Sequence, residues 1–126
     1  MTTTFSAKER LKSKKEIDLI FSEGKSIARY PVRLIYRKTS SKNESSIQTS
    51  VSVSKRNFKK AVQRNRIKRL LRESYRKNKY LVINNTSHHF TFMFLYTGKE
   101  MPDYILIESK IKEILQKFVV KEIETS

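Results

Sequence analysis

The chain has 126 residues, of which 28 are Lys or Arg and 12 are Asp or Glu, for a formal charge of +16. It has no Cys, which excludes disulfide scaffolds, thiolate-held zinc, iron–sulfur clusters and thiol chemistry. The length fits a single domain over 1–126, with an ordered core expected over about 10–120. No apolar run approaches the ~20 residues of a membrane helix, and the N-terminal residues carry no signal-peptide core, so the expectation is a cytoplasmic, very basic protein whose partner is a polyanion rather than a membrane.

Residues 1–9 are polar. Ser13 and Glu16 have the spacing of a capping box, and Ile17, Ile20 and Phe21 follow at the i, i+3, i+4 spacing of one helix face. Gly24 suits the helix stop. From Tyr30 to Lys38 the pattern alternates, with Val32, Leu34 and Tyr36 on one face, Arg33, Ile35 and Arg37 on the other, and Pro31 at the strand start. Residues 39–46 read as a connection. Ile47 to Ser54 alternates again, with Ile47, Thr49, Val51 and Val53 inward. A basic helix is predicted from about Val62 to Lys79. It is followed by a loop over 84–89 and a strand, Phe90 to Tyr96, apolar enough to be covered on both faces. Asp103 can cap a last helix whose stripe is Ile107, Ile111, Ile114, Leu115 and Phe118. The predicted order is α-β-β-α-β-α, an α/β protein built as a two-layer sandwich.

The charge is concentrated. Lys55 to Lys79 holds twelve basic residues and one acid, Glu73, a net +11. Such density opposes folding by self-repulsion unless an anion lies against it, and phosphate backbones are the common match. On a helical wheel with Ile67 at zero, Leu70, Leu71 and Ser74 fall within about 60° of it, whereas Asn65, Lys68, Arg69, Arg72 and Arg76 fall at roughly 100–200°. Arg64 and Arg66 flank that ridge, and Lys60 precedes it. Arginine forks grip phosphate bidentately and stack on bases, which suits RNA. Asn65, able to donate and accept, either recognises a base edge, ribose or RNA shape, or helps start the helix as a cap. Tyr75 stands near the packing side and could close the core edge.

These residues carry a family resemblance. Residues 52–56 (SVSKR) and 60–76 (KAVQRNRIKRLLRESYR), with Arg64-Asn65-Arg66 followed by Lys68, Arg69 and Arg72, resemble the signature of the bacterial ribonuclease P protein component. The resemblance implies a left-handed crossover from the second strand through the basic helix to the third. It also implies a ribonucleoprotein in which the RNA subunit cuts precursor tRNA at its 5′ end with Mg2+ and the protein supplies no catalytic group. A monomeric protein in a 1:1 complex is expected. By the same resemblance Lys60, Arg64, Asn65, Arg66, Lys68, Arg69, Arg72 and Arg76 bind RNA. A cleft for the 5′ leader is expected from Phe21, Arg33, Ile35, Ser52 and Lys55, with Lys68 and Arg72 pointing toward it. Where family members carry aromatics in the first helix and strand, this chain has Ile17 and Ile35.

The alternative function is a structural RNA-binding protein, such as a ribosomal protein, with no part in cleavage. An independent nuclease is disfavoured because the acids are scattered; Asp18, Glu73 and Asp103 are not expected to converge as a two-metal site requires. His88-His89, in a loop of Asn, Ser and Thr, reads as surface, and no metal cage is readable. Phe90, Phe92 and Phe94 read as core.

Overall fold

The computed structural model describes residues 14–39, 47–83 and 89–124. In chain order these form α1 (Lys14–Glu23), β1 (Lys25–Arg29), β2 (Val32–Thr39), β3 (Ile47–Val53), α2 (Ala61–Asn78), α3 (Tyr80–Ile83), β4 (His89–Tyr96) and α4 (Tyr104–Phe118), which runs into a π-helical segment, Val119–Glu124. The predicted α/β class and element order hold, with β1 and the short α3 added. β1, KSIAR, was not legible because it is short and buries one residue, Ile27. It pairs with β2 across the Tyr30–Pro31 turn, whose peptide bond is cis. The Ser13 end of the predicted capping box lies outside the described residues.

The sheet order is β1-β2-β4-β3. β2 is antiparallel to both β1 and β4, while β3 is parallel to β4. A parallel pair cannot be joined by a hairpin, so the β3–β4 connection is a crossover, and it carries α2 and α3. β4 lies inside the sheet with helices on both faces, which explains its unbroken apolar run. Phe90, Phe92, Phe94 and Tyr96 join the main core, whereas Met93 and Leu95 face α1. Val32, Leu34 and Tyr36 of β2 and Ile47, Val51 and Val53 of β3 point into the same main core, as their alternation requires.

α2 and α4 cover that face. α2 buries Ile67, Leu71, Ser74, Tyr75 and Asn78, and Leu70 is half-buried at the margin. Tyr75 is a core residue, its ring 5.4 Å from Phe94 and 6.3 Å from Phe92. Asn78 was not foreseen. Its Nδ2 donates to the Ser74 carbonyl at 2.8 Å and to Glu108 Oε2 at 3.1 Å, and Tyr104 Oη donates to the same Glu108 oxygen at 2.9 Å, tying α2 to α4. The hydrogen bond from Asn78, then that from Tyr104, hold the Glu108 carboxyl below its ordinary range. Asp103 caps α4 by accepting from Leu106 N at 2.8 Å, and all five residues of the predicted stripe are buried.

On the opposite face α1 packs through Ile20, with Ile17, Ile35, Met93 and Leu95 around it. Ile17 and Ile35 therefore serve a satellite core rather than an open stacking surface. Arg37 of β2 pins α1 from the side, pairing with Glu16 at 3.2 Å and Glu23 at 3.4 Å.

The chain end returns to the sheet. Tyr36 Oη donates to Glu122 Oε2 at 2.6 Å, and Lys25 Nζ stands 3.5 Å from the same oxygen. Burial, then the hydrogen bond and charge of Glu122, push the Tyr36 phenol above its ordinary pKa. In the unfolded chain a phenol ionises near pH ~10. Above that pH the unfolded state holds fewer protons than the folded one, and stability falls. Tyr36→Phe should lower the unfolding free energy at neutral pH by about 1 kcal/mol and make the alkaline decline shallower. Denaturant titrations on either side of the phenol's ordinary pKa check both; an unchanged alkaline slope removes the assignment.

Candidate nucleic-acid interface

Because α2 buries one narrow side, its other side is left to solvent. Asn65, Arg66, Arg69 and Arg72 are exposed and Lys68 is half-buried. Arg66, Lys68, Arg69 and Arg72 form no ion pair with a described carboxylate, so their charge is available to a ligand. Arg76 differs: its guanidinium grips Glu73 one turn back, Nε at 3.4 Å from Oε2. That hydrogen bond is also the main reason the Glu73 carboxyl is held low. The helix cap is Lys60, which has no side-chain cap bond. Asn65 lies beyond the first turn and does not start the helix, so the capping alternative falls away.

Arg64 is turned inward. Its Nη1 donates to the carbonyls of Phe58 at 2.8 Å and Lys59 at 2.9 Å. Phe58 is buried against Tyr96, ring centroids 5.9 Å apart. Arg64 therefore fastens the turn between β3 and α2, while Asn65 and Arg66 face out. The three residues share a motif but not an environment.

A second surface lies on the α1 side of the sheet. The register places Arg33, Leu95 and Ser52 in one row and Ile35, Met93 and Ser50 in the next. Beside α1 a hollow of about 830 Å³ opens between Phe21, the β3–β4 row end at Ser52 and Leu95, and the turn residues Arg56 and Asn57, with Lys99 also lining it. Phe21, 54% exposed, offers an aromatic face there.

The structure brings together two of the residues predicted for the cleft, Phe21 and Ser52. Arg33 and Ile35 share the sheet face without lining the hollow, Ile35 because α1 sits on it. Lys55 is exposed in the same turn, but its neighbours Arg56 and Asn57 form the wall. Lys68 and Arg72, expected to point toward the cleft, do not line this hollow, and α2 packs on the opposite face of the sheet. The ridge and the hollow are distinct surfaces joined by the β3–α2 turn. Arg56 could have been found from the basic run that contains it. Lys99 sits in a stretch readable only as a turn.

A model of the family described as Ribonuclease P matches residues 5–119. The Ribonuclease P protein component of Porphyromonas gingivalis (strain ATCC 33277) is 38% identical over 117 residues, covering 90% of this chain and 85% of the relative. The chain belongs to the ribonuclease P protein family. A protein of the same name from Chlorobium phaeobacteroides is 31% identical over 128 residues, covering 91% of this chain and 88% of the relative. Among solved structures, the RNase P protein from Thermotoga maritima superposes with a TM-score of 0.70 at 26% identity, over 86% of this chain and 96% of that one. The Staphylococcus aureus RNase P protein has a TM-score of 0.72 at 20% identity, over 91% and 97%, a likeness of fold. The family is that of the protein component of a tRNA-processing ribonucleoprotein endonuclease. No helix of the described residues is long and apolar enough to cross a membrane.

Arg66 and Arg64 should separate in experiment. Arg66→Ala should weaken binding to a bacterial ribonuclease P RNA and reduce the slope of log affinity against log salt by about one. Arg64→Ala should leave that slope nearly unchanged but lower the unfolding free energy by about 1–3 kcal/mol, since it leaves two turn carbonyls without their charged donor. Salt-dependent binding and denaturant unfolding of both variants decide; equal slopes for the two remove the division.

Proposed function

We propose that this chain is the ribonuclease P subunit that holds the catalytic RNA against the outer side of α2 and guides the 5′ leader of precursor tRNA through the hollow beneath Phe21. The observation carrying the reading is that two differently built surfaces stand on opposite sides of one sheet. One is a ridge of arginines that form no ion pair with a described carboxylate, suited to the phosphates of a folded RNA. The other is an aromatic-faced hollow with Arg56 and Lys99 on its walls, suited to an unpaired strand whose bases stack while its phosphates meet cations. A protein so built brings two polyanions together and lowers their mutual repulsion, and it acts by placement.

In this reading Asn65, Arg66, Lys68, Arg69 and Arg72 contact the RNA subunit, with Lys60 and Arg76 at the ends of the patch. Arg64 acts by fastening the turn that carries Arg56 and Asn57. The hydrolytic step belongs to the RNA, which would use Mg2+ for it. Among the described residues no group of three or more His, Cys, Asp or Glu converges to hold a metal ion, and no step is assigned to a protein-bound metal. The complex forms in the cytoplasm, one protein to one RNA.

The test is reconstitution. Added to a bacterial ribonuclease P RNA at low Mg2+, the protein should restore correct 5′ cleavage of precursor tRNA. Tight RNA binding without rescue supports a structural RNA-binding protein instead, and cleavage by the protein alone supports an independent nuclease. Within the complex, Lys68→Ala with Arg72→Ala should weaken assembly with the RNA and affect precursor and mature tRNA alike. Phe21→Ala should weaken precursor binding about fivefold or more, by loss of one stacking contact of about 1–3 kcal/mol, with mature tRNA unaffected. Equilibrium binding of both tRNAs to the reconstituted variants distinguishes the two surfaces.

A further inference from the structure

The hollow beneath Phe21 does not stand alone. Two of its lining residues, Tyr96 and Lys99, also line a second hollow of about 470 Å³, whose other walls include Tyr30, Pro31, Met101 and Leu106. Tyr30 is 70% exposed, and Met101 and Leu106 show apolar surface beside it. Tyr30 is the most exposed of the three aromatic rings, with Phe21 and Tyr80, that stand open to solvent among the described residues.

The turn that carries Tyr30 is firmly based. The Pro31 carbonyl accepts from Thr97 N at 2.7 Å and from Thr97 Oγ1 at 3.1 Å, which ties the turn to the end of β4. Gly98 lies so close that a Cβ there would meet Tyr96 Oη at 2.6 Å and Pro31 Cβ at 3.0 Å. Its carbonyl accepts from Asn57 Nδ2 at 3.4 Å. Turn, strand end and first hollow are thus one piece, and little ordering is left for a ligand to impose.

Lys99 stands on the shared wall and forms no ion pair with a described carboxylate. The sequence of surfaces is therefore aromatic, cation, aromatic: Phe21, Lys99, Tyr30. Stacking faces separated by a cation are what a single nucleic-acid strand requires, because its bases and phosphates alternate. Glu100 lines the second hollow but not the first. It disfavours a phosphate deep in the second hollow and leaves Lys99 as the phosphate position, with the base over Tyr30.

We propose that the second hollow is a nucleotide site, which takes an unpaired base of the same RNA strand that occupies the hollow beneath Phe21. The proposal rests on the leader reading of the first hollow and extends it: leader recognition continues past Lys99 onto the β1–β2 turn.

The experiment uses holoenzyme reconstituted with a bacterial ribonuclease P RNA and precursor tRNAs whose leaders grow one nucleotide at a time. Affinity should rise in two separate stages. Phe21→Ala should remove the first gain. Tyr30→Ala should remove only the second, lowering affinity for long leaders about five- to tenfold, the lower end of base–aromatic stacking, and Tyr30→Phe should retain it. Tyr30 is exposed, so the variant should fold, which an unchanged melting temperature verifies. If Tyr30→Ala binds long leaders as wild type does while Phe21→Ala loses affinity, the second site is overturned and the leader reading stands. If neither variant alters leader dependence, the leader reading fails and the second site fails with it. An equal loss for mature tRNA on Tyr30→Ala also overturns the proposal, because the residue would then act outside the leader path.

Discussion

The structure depends on the seating of one helix. α2 carries a dense positive charge, and each added cation raises the cost of bringing the chain together. What holds it down is the apolar seam of Ile67, Leu71 and Tyr75 on the sheet, with Asn78 joined to Glu108 of α4 at the far end. Burying a large apolar side chain contributes about 1.5–3 kcal/mol, and that gain opposes the repulsion along the solvated ridge. The seam also aims the ridge: with Ile67 and Leu71 inward, Asn65, Arg66, Arg69 and Arg72 have nowhere to point but out.

Seating α2 on one face leaves the other to α1, and this decides where a hollow can open on the sheet. α1 covers Ile35 and Met93 and reaches Leu95, but it leaves Ser52 and the open side of Leu95 to line the hollow. The β3–α2 turn then serves both sides. Phe58 anchors it in the core, Arg64 fastens it from the helix, and Arg56 and Asn57 wall the hollow. A substitution on the helix can therefore act on the far side of the sheet without touching RNA, because the turn is a shared part.

Much of this was legible from residue order. The period of two in β2 and β3, the helical spacing in α2 and α4, and the Asp103 cap each express a local rule, and each was realised within a residue or two. The Arg-Asn-Arg string with its neighbours indicated the family before any coordinates. Hidden features depended on contacts distant in sequence. β1 shows a strand pattern too short to read. Asn78 resembles a helix-end residue until Glu108 is seen opposite. Arg64 looks equivalent to Arg66 in sequence, and only the position of the Phe58 and Lys59 carbonyls separates them. A helical wheel says that Lys68 and Arg72 share a side but not which layer that side faces, and that needed the packing of α2 on the sheet.

The carboxylates complete the argument. Most of those described are committed to holding the fold: Glu16 and Glu23 on Arg37, Glu73 on Arg76, Asp103 at the α4 cap, Glu108 under Asn78 and Tyr104, and Glu122 under Tyr36. Exposed ion pairs contribute little energy, about 0–1 kcal/mol each, so their main effect is on position. They fix α1 to β2, α2 to α4 and the chain end to the sheet while leaving the ridge cations beside them unneutralised. A chain with few acids thus spends most of the described ones on bracing. What it leaves over is an excess of positive charge held at defined places, the kind of surface to which phosphate is drawn.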